Sequence, residues 1–301
     1  MTPDEVLRVG GRRLKLSNPD KVLYPAAGFT KRDVVGYYRA IAPVLLPHLK
    51  GRPLTMKRYP NGVDQEFFYQ KEAPQHRPEW IRTVPVWSRS NKRDVNFLIV
   101  DTLSALVWIA NLADLELHTS LSRAGSLARP TMLVFDLDPG PPATIVECCR
   151  VGVLLRDMFA PLGLECFPKT SGSKGLQVYV PLNTAVGYDD TKAFALATAR
   201  RLEEEHPDLV VSNMRKELRT GKVLVDWSQN DDMKTTICVY SLRARERPTV
   251  STPLRWSEVE RALKADDPTR LVFQWDGVLE RVERHGDLFE PVRRLKQKLP
   301  R

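Results

Sequence analysis

The segment Thr131–Leu137 (TMLVFDL) is β-branched and apolar, and Pro139-Gly140-Pro141-Pro142 cuts it off abruptly. Such a run predicts a buried strand, because proline cannot continue the ladder and the turn chemistry leaves no room for another register. Side chains alternate along a strand, so Asp136 and Asp138 share one face while Leu137 points into the core. Paired carboxylates repel unless a cation lies between them, and magnesium or manganese takes hard oxygen ligands of this kind. The plainer alternative is a pair of strand-end aspartates that cap the next helix.

Other elements follow from periodicity and caps. Thr30 with Asp33 forms a variant capping box ahead of Val34, Val35, Tyr38, Ile41 and Ala42, which share a helical face. Asp101 or Thr102 caps a helix carrying Leu103, Leu106, Val107 and Ala110, and Leu115–Thr119 is the strand after it. Thr144 with Glu147 is a full capping box for a helix through Phe159. Leu54–Arg58, Leu176–Pro181 and Val223–Trp227 read as strands, Asp190 to about Glu205 as a charged helix, and Glu280 to Leu299 as a basic helical tail. The sum is an α+β protein without the regular alternation of a doubly wound parallel sheet.

Two further segments carry chemistry. Thr170-Ser171-Gly172-Ser173-Lys174-Gly175 offers glycines, hydroxyls, amides and one cation to a phosphate. Its glycine spacing and the strand that follows exclude a Walker loop, and a surface hairpin turn is the plainer alternative. Val225-Asp226-Trp227-Ser228-Gln229-Asn230 closes an apolar strand just after Arg215, Lys216, Arg219 and Lys222, and Asp226 can be a third carboxylate. Three carboxylates beside a basic cradle suit two-metal phosphoryl transfer. Lys57-Arg58-Tyr59-Pro60, followed by Phe67-Phe68-Tyr69, interleaves cations with aromatic rings as a nucleic-acid surface does. At least one of those three rings is expected to belong to the core instead.

Basic residues exceed acidic ones, 46 against 37, for a net charge of +9, which makes a polyanion a fitting partner. The four cysteines, Cys148, Cys149, Cys166 and Cys238, show no zinc or disulfide spacing and read as buried thiols. No apolar run is long enough to span a bilayer and the N-terminal stretch has no signal-peptide core, so a cytoplasmic location without membrane contact is expected.

Taken in order, Leu16-Ser17-Asn18-Pro19-Asp20-Lys21-Val22-Leu23-Tyr24-Pro25, FDLDPG, TSGSKGL and VDWSQN resemble the archaeo-eukaryotic primase superfamily. More closely, they resemble the polymerase domain of bacterial DNA ligase D. The resemblance implies a primase-polymerase fold, with antiparallel and mixed sheets flanked by helices around a central catalytic cleft. It implies one domain over 1–301: a helical part with a 5′-phosphate pocket at 1–50, a catalytic core at 51–250 and a helical segment at 251–301. Asp136, Asp138 and Asp226 would hold two Mn2+ or Mg2+ ions. His118, Ser171, Lys174, Gln177, Arg219, Gln229 and Arg243 would contact a nucleoside triphosphate, although His118 alone reads as an ordinary strand histidine. Asn18, Lys21 and Lys31 would bind a 5′-phosphate at a gap or broken end, with Lys57, Arg58, Phe67 and Phe68 along the DNA.

The implied activity is template-directed, ribonucleotide-preferring gap filling and end extension in non-homologous end joining, with Ku and an ATP-dependent DNA ligase as partners. A non-catalytic end-binding module and a metal-dependent nuclease are the rival readings. One departure stands out: the similar motif has histidine where this chain has Gln177, which can donate a hydrogen bond but stays neutral.

Overall fold

The computed structural model describes residues 4–300. Met1–Pro3 and Arg301, the outermost residues of the expected domain and of the N-terminal stretch, lie outside the described residues. The chain forms two compact units interleaved in sequence. The first takes residues up to Gly125 together with Thr235–Val250 and Gln274–Gly286; the second takes Ser126–Lys234, Ser251–Phe273 and Asp287 onward. A boundary between the units falls at Val250 and Ser251, as in the expected division at 250, whereas residue 50 lies inside the first unit.

The first unit is built on a six-stranded sheet. Thr236–Ile237, Asp114–Thr119, Pro53–Arg58, Arg93–Ile99 and Thr83–Ser88 lie in that order, and Phe68–Gln70 adds to Pro53–Arg58. Its long helix, Lys31–Leu49, starts where the sequence predicts: the Thr30 side chain accepts from the Asp33 amide and Asp33 answers to the Thr30 amide. A box of this kind contributes about 1 kcal/mol. The helix buries Val34, Val35, Tyr38, Ile41 and Ala42. Thr102 caps the helix Leu103–Asn111 by accepting from the Ala105 amide, without a reciprocal bond.

The second unit carries a five-stranded sheet in the order Phe167–Thr170, Leu176–Pro181, Met132–Pro139, Val223–Asp226, Val210–Val211. Every pairing is antiparallel except the last. Leu133, Phe135, Leu137, Leu176, Val178, Val180, Val223 and Val225 enter one buried cluster with the helices Ile145–Phe159 and Trp256–Ala265. Alternation therefore turns Asp136, Gln177 and Asp226 to the other face of the sheet.

The basic tail departs from the sequence reading. In place of one helix from Glu280 to Leu299 there are two, Trp275–His285 and Glu290–Arg294, followed by irregular chain. Gly286 takes φ +66°, a left-handed backbone that ends the first helix, and Pro291 fits the first turn of the second. Val223–Trp227 also stops one residue early, because Asp226 caps a 3-10 turn over Trp227–Gln229. The four cysteines are free and buried, and no helix among the described residues is long and apolar enough to cross a membrane.

Candidate active site

Register brings the carboxylates together. Asp136 pairs directly with Asp226 on one side and with Gln177 on the other, and Gln177 pairs in turn with Lys169. A polar row, Lys169–Gln177–Asp136–Asp226, thus crosses four strands on the face opposite the apolar cluster. Asp138 lies two residues beyond Asp136, exposed at the strand end. Burial, then the Asp138 charge, pushes the Asp136 carboxyl up to about 7, and Asp226 pushes it the same way; Gln177 and Lys169 act against the shift. The carboxylates crowd one another, which is the strain a divalent cation relieves.

The oxygen-only donor set suits magnesium or manganese. Among the described residues, however, no group of three or more His, Cys, Asp or Glu side chains is gathered into a chelate. Asp226 shows why: its Oδ1 accepts from the Ser228 amide at 2.9 Å and hydroxyl at 2.6 Å, and its Oδ2 from Gln229 Nε2 at 2.8 Å. Lys234 Nζ donates to the Ser228 hydroxyl in turn. The carboxylates fit a cation in chemistry and placement, and Asp226 would have to turn from these partners to ligate one.

Backbone contacts lock the surrounding loops onto this strand end. A Cβ at Gly175 would stand 2.1 Å from the Leu137 carbonyl oxygen, so only glycine lets the Ser171–Gly175 loop lie against the Asp136–Asp138 stretch. Ser171 Oγ accepts from the amides of Ser173 and Gly175 at 3.2 and 3.1 Å, which fixes the loop, and Lys174 stands exposed at its tip. A Cβ at Gly140 would meet the Arg219 carbonyl oxygen at 1.9 Å. The glycine of FDLDPG thereby seats the Arg219 segment beside the strand end, and the Arg219 guanidinium donates to the Met214 carbonyl.

His118 and Arg243 belong to the first unit, gathered there by a residue the sequence reading passed over. Glu116 is 1% exposed. It accepts from His118 Nε2 at 3.1 Å and faces Lys57 Nζ at 3.4 Å and Arg243 Nε at 3.3 Å. Burial opposes its charge, but His118, Arg243 and Lys57 together hold the carboxyl far below its usual range. Burial in turn lowers the His118 pKa, against the pull of Glu116. Strand alternation in Leu115-Glu116-Leu117-His118 was the available signal, since it puts Glu116 and His118 on one face.

Lys57 also stands over Phe67, with Nζ 4.3 Å from the ring centroid, and near Tyr59 and Tyr69 at 5.3 and 5.5 Å. Phe67, Phe68 and Tyr69 are 48, 44 and 58% exposed, so none of the three is a core ring and that expectation is corrected. Phe68 and Tyr69 are supported by cross-strand pairing to Arg58 and Lys57, and Phe67 by stacking on Tyr59, leaving their outer faces to solvent. Arg58 lies under Phe68 at 5.1 Å and donates to the Leu112 carbonyl and Gln70 Oε1, both at 2.9 Å.

Lys21 and Lys31 lie close together, with the Lys31 amide donating to the Lys21 carbonyl at 2.9 Å. Lys31 is 6% exposed. Burial, then Lys21 and Arg58, pulls its pKa down. Lys31 Nζ reaches Ser17 Oγ at 3.4 Å, Lys21 Nζ donates to Asn61 Oδ1 at 2.7 Å, and the Asn18 carbonyl, at a residue with φ +46°, accepts from the Lys21 amide. A buried ammonium disfavoured by burial and by neighbouring cations at a helix N-terminus suits an anion.

A carboxylate pair on a sheet, a glycine-locked basic loop and a primase-polymerase fold define a nucleotidyltransferase-type domain. The model of the LigD primase-polymerase domain matches residues 30–289. The Multifunctional non-homologous end joining protein LigD of Mycolicibacterium smegmatis is 42% identical over 282 residues, 93% of this chain and 36% of that protein. The Bifunctional non-homologous end joining protein LigD of Bacillus subtilis is 31% identical over 275 residues, 91% of this chain and 43% of that protein. The polymerase domain from Mycobacterium tuberculosis Ligase D, solved in complex with DNA, superposes with a TM-score of 0.86 at 45% identity, covering 93% of this chain and 98% of that one. The chain belongs to the LigD primase-polymerase family, and it spans between a third and a half of the length of these two full-length relatives.

Proposed function

We propose that the chain is a template-directed, metal-dependent nucleotidyltransferase that fills gaps and extends ends bearing a 5′-phosphate during non-homologous end joining. The observation that carries this reading is the crowded Asp136–Asp226 pair, with Asp136 pushed up to about 7, beside a basic loop held by Gly175. Asp136, Asp138 and Asp226 would hold divalent cations, which when bound stabilise the attacking 3′-oxygen and the leaving pyrophosphate. Ser171 and Lys174 meet triphosphate oxygens through hydroxyl and ammonium, Arg219 adds a cation, and Gln177 and Gln229 donate amide hydrogens. The resemblance adds His118 and Arg243 to the nucleotide contacts. Lys21, Lys31 and Asn18 take the 5′-phosphate, while Phe67 and Phe68 offer their exposed faces to bases.

Ribonucleotide preference and cooperation with Ku and an ATP-dependent ligase come with the same reading. So does a place in the bacterial cytoplasm, at the nucleoid. The test is extension across a gapped duplex with a 5′-phosphate, in Mn2+ or Mg2+, with ribo- or deoxyribonucleotides and an Asp138→Ala control. Templated extension with pyrophosphate release, absent in the control, is expected. Gap binding without extension under either metal would overturn catalysis in favour of an end-binding module, and release of mononucleotides would point to a nuclease.

A further inference from the structure

Lys169, in Phe167–Thr170, is a fully buried lysine in a polar row that otherwise carries carboxylates and an amide. Its Nζ donates to Gln177 Oε1 at 2.5 Å and to Ser251 Oγ at 2.6 Å, and stands 5.4 Å from the Tyr179 ring centroid. Ser251 donates onward to the Thr170 carbonyl at 2.9 Å, and the Tyr179 hydroxyl also approaches Gln177 Oε1, at 3.4 Å. Burying a charge is costly unless it is hydrogen-bonded, as Lys169 is here.

An ammonium has donors only, so the amide oxygen of Gln177 has to face it. That fixes the flip of the amide: Nε2 must point the other way, toward the directly opposed Asp136, whose charged form the Gln177 side chain favours. With the lysine absent, a neutral amide could turn either end to the carboxylates.

We propose that Lys169 is a positioning residue of the carboxylate site: it locks the Gln177 amide with Nε2 toward Asp136 and puts a fixed positive charge behind it. The pair does jointly what a single histidine could do at position 177, one strand supplying the donor and the next the charge. The nucleotide arm of the test rests on the proposed polymerase reading; the metal arm does not.

Lys169→Met, Lys169→Gln, Gln177→His and the double variant Lys169→Met with Gln177→His would be compared with the wild type in three measurements. These are Mn2+ binding by electron paramagnetic resonance without nucleotide, KM and kcat for the nucleotide, and thermal stability. The two neutral Lys169 variants should bind Mn2+ more tightly, by roughly ten-fold for one unit charge removed two strands from the cation. Their nucleotide KM should rise by a similar factor. A merely structural lysine would weaken both ligands together, in step with stability. Gln177→His alone should be worse than the double variant, because its ring would abut the Lys169 ammonium; with methionine there, histidine should restore nucleotide affinity.

Unchanged or weaker Mn2+ binding in both neutral variants, or independent effects of the two positions, would overturn the assignment. Lys169→Gln, which can still hydrogen-bond Ser251, carries the comparison should Lys169→Met fail to fold. A wild type that binds Mn2+ but extends no primer would sink the polymerase reading and leave the metal comparison intact.

Discussion

Replacing Asp136 with asparagine should stabilise the metal-free protein while abolishing its chemistry. Asp136 is raised from 3.8 to about 7 by burial and by its acidic neighbours. Its folded pKa therefore lies above its unfolded one, and the native state holds a proton that the unfolded chain releases. In the metal-free protein this group costs nothing below about pH 4. The cost grows between about 4 and 7 and is complete above that window. Three units at ~1.4 kcal/mol each set a ceiling of about 4 kcal/mol, and relaxation of a partly accessible site brings the expectation nearer ~2 kcal/mol.

Asp136→Asn keeps the shape, removes the charge and leaves an amide oxygen for Gln177. Urea and thermal unfolding in chelator, from pH 5 to 8, should show the variant more stable by about 2 kcal/mol at pH 8, with the difference closing toward pH 5. Mn2+ should stabilise the wild type at pH 8 and leave the variant almost unmoved, since ligand binding to the native state adds stability only where the site exists. A variant no more stable than the wild type at pH 8, or a pH-independent gap, would refute the crowded-carboxylate reading.

Glu116→Gln removes the charge that holds Lys57, His118 and Arg243, so unfolding free energy should fall by about 3 kcal/mol and nucleotide KM should rise. Chemical denaturation with steady-state kinetics checks both. Lys31→Met replaces a buried ammonium whose charge burial already disfavours. It should leave stability equal or raised by about 1 kcal/mol and erase the preference for 5′-phosphorylated over hydroxyl gaps, read by competitive binding. Gly140→Ala forces a Cβ to within 1.9 Å of the Arg219 carbonyl oxygen. The strand end must part from the Arg219 segment at a cost of about 2 kcal/mol, seen as a lower melting temperature and weaker triphosphate binding.

Local signals carried much of the fold. Thr30, Thr102 and Thr144 each cap the helix their spacing predicts, because a cap is decided within four residues. Apolar alternation likewise assigned the faces of Met132–Pro139 correctly. What escaped depends on partners distant in sequence. Of Phe67, Phe68 and Tyr69 at least one ring is expected in the core, but pairing of Phe68 and Tyr69 to Arg58 and Lys57 leaves all three exposed. Nothing local marks Lys169, and only the register with Gln177 sets this buried lysine in a row that ends on Asp226. The interleaving of the two units is beyond any local rule, since Thr235–Val250 returns to a sheet whose other strands lie more than a hundred residues earlier.

Two carboxylates, Glu116 buried and Asp136 half-buried, end in opposite states, and the difference lies in their neighbours. Glu116 meets His118, Lys57 and Arg243, and remains ionised without any ligand. Asp136 meets Asp138 and Asp226, and its nearest help is an amide with an ammonium one strand further away. A site whose charges already cancel serves to hold its cationic and ring side chains in place. A site whose charges conflict is stable only when something positive arrives, which is the requirement of a centre that loads its cation anew. Removing Glu116 should therefore harm the resting protein, whereas removing Asp136 should help it and harm only the loaded state. Opposite signs for these two neutralisations, measured side by side in chelator at pH 8, are what the difference in surroundings demands.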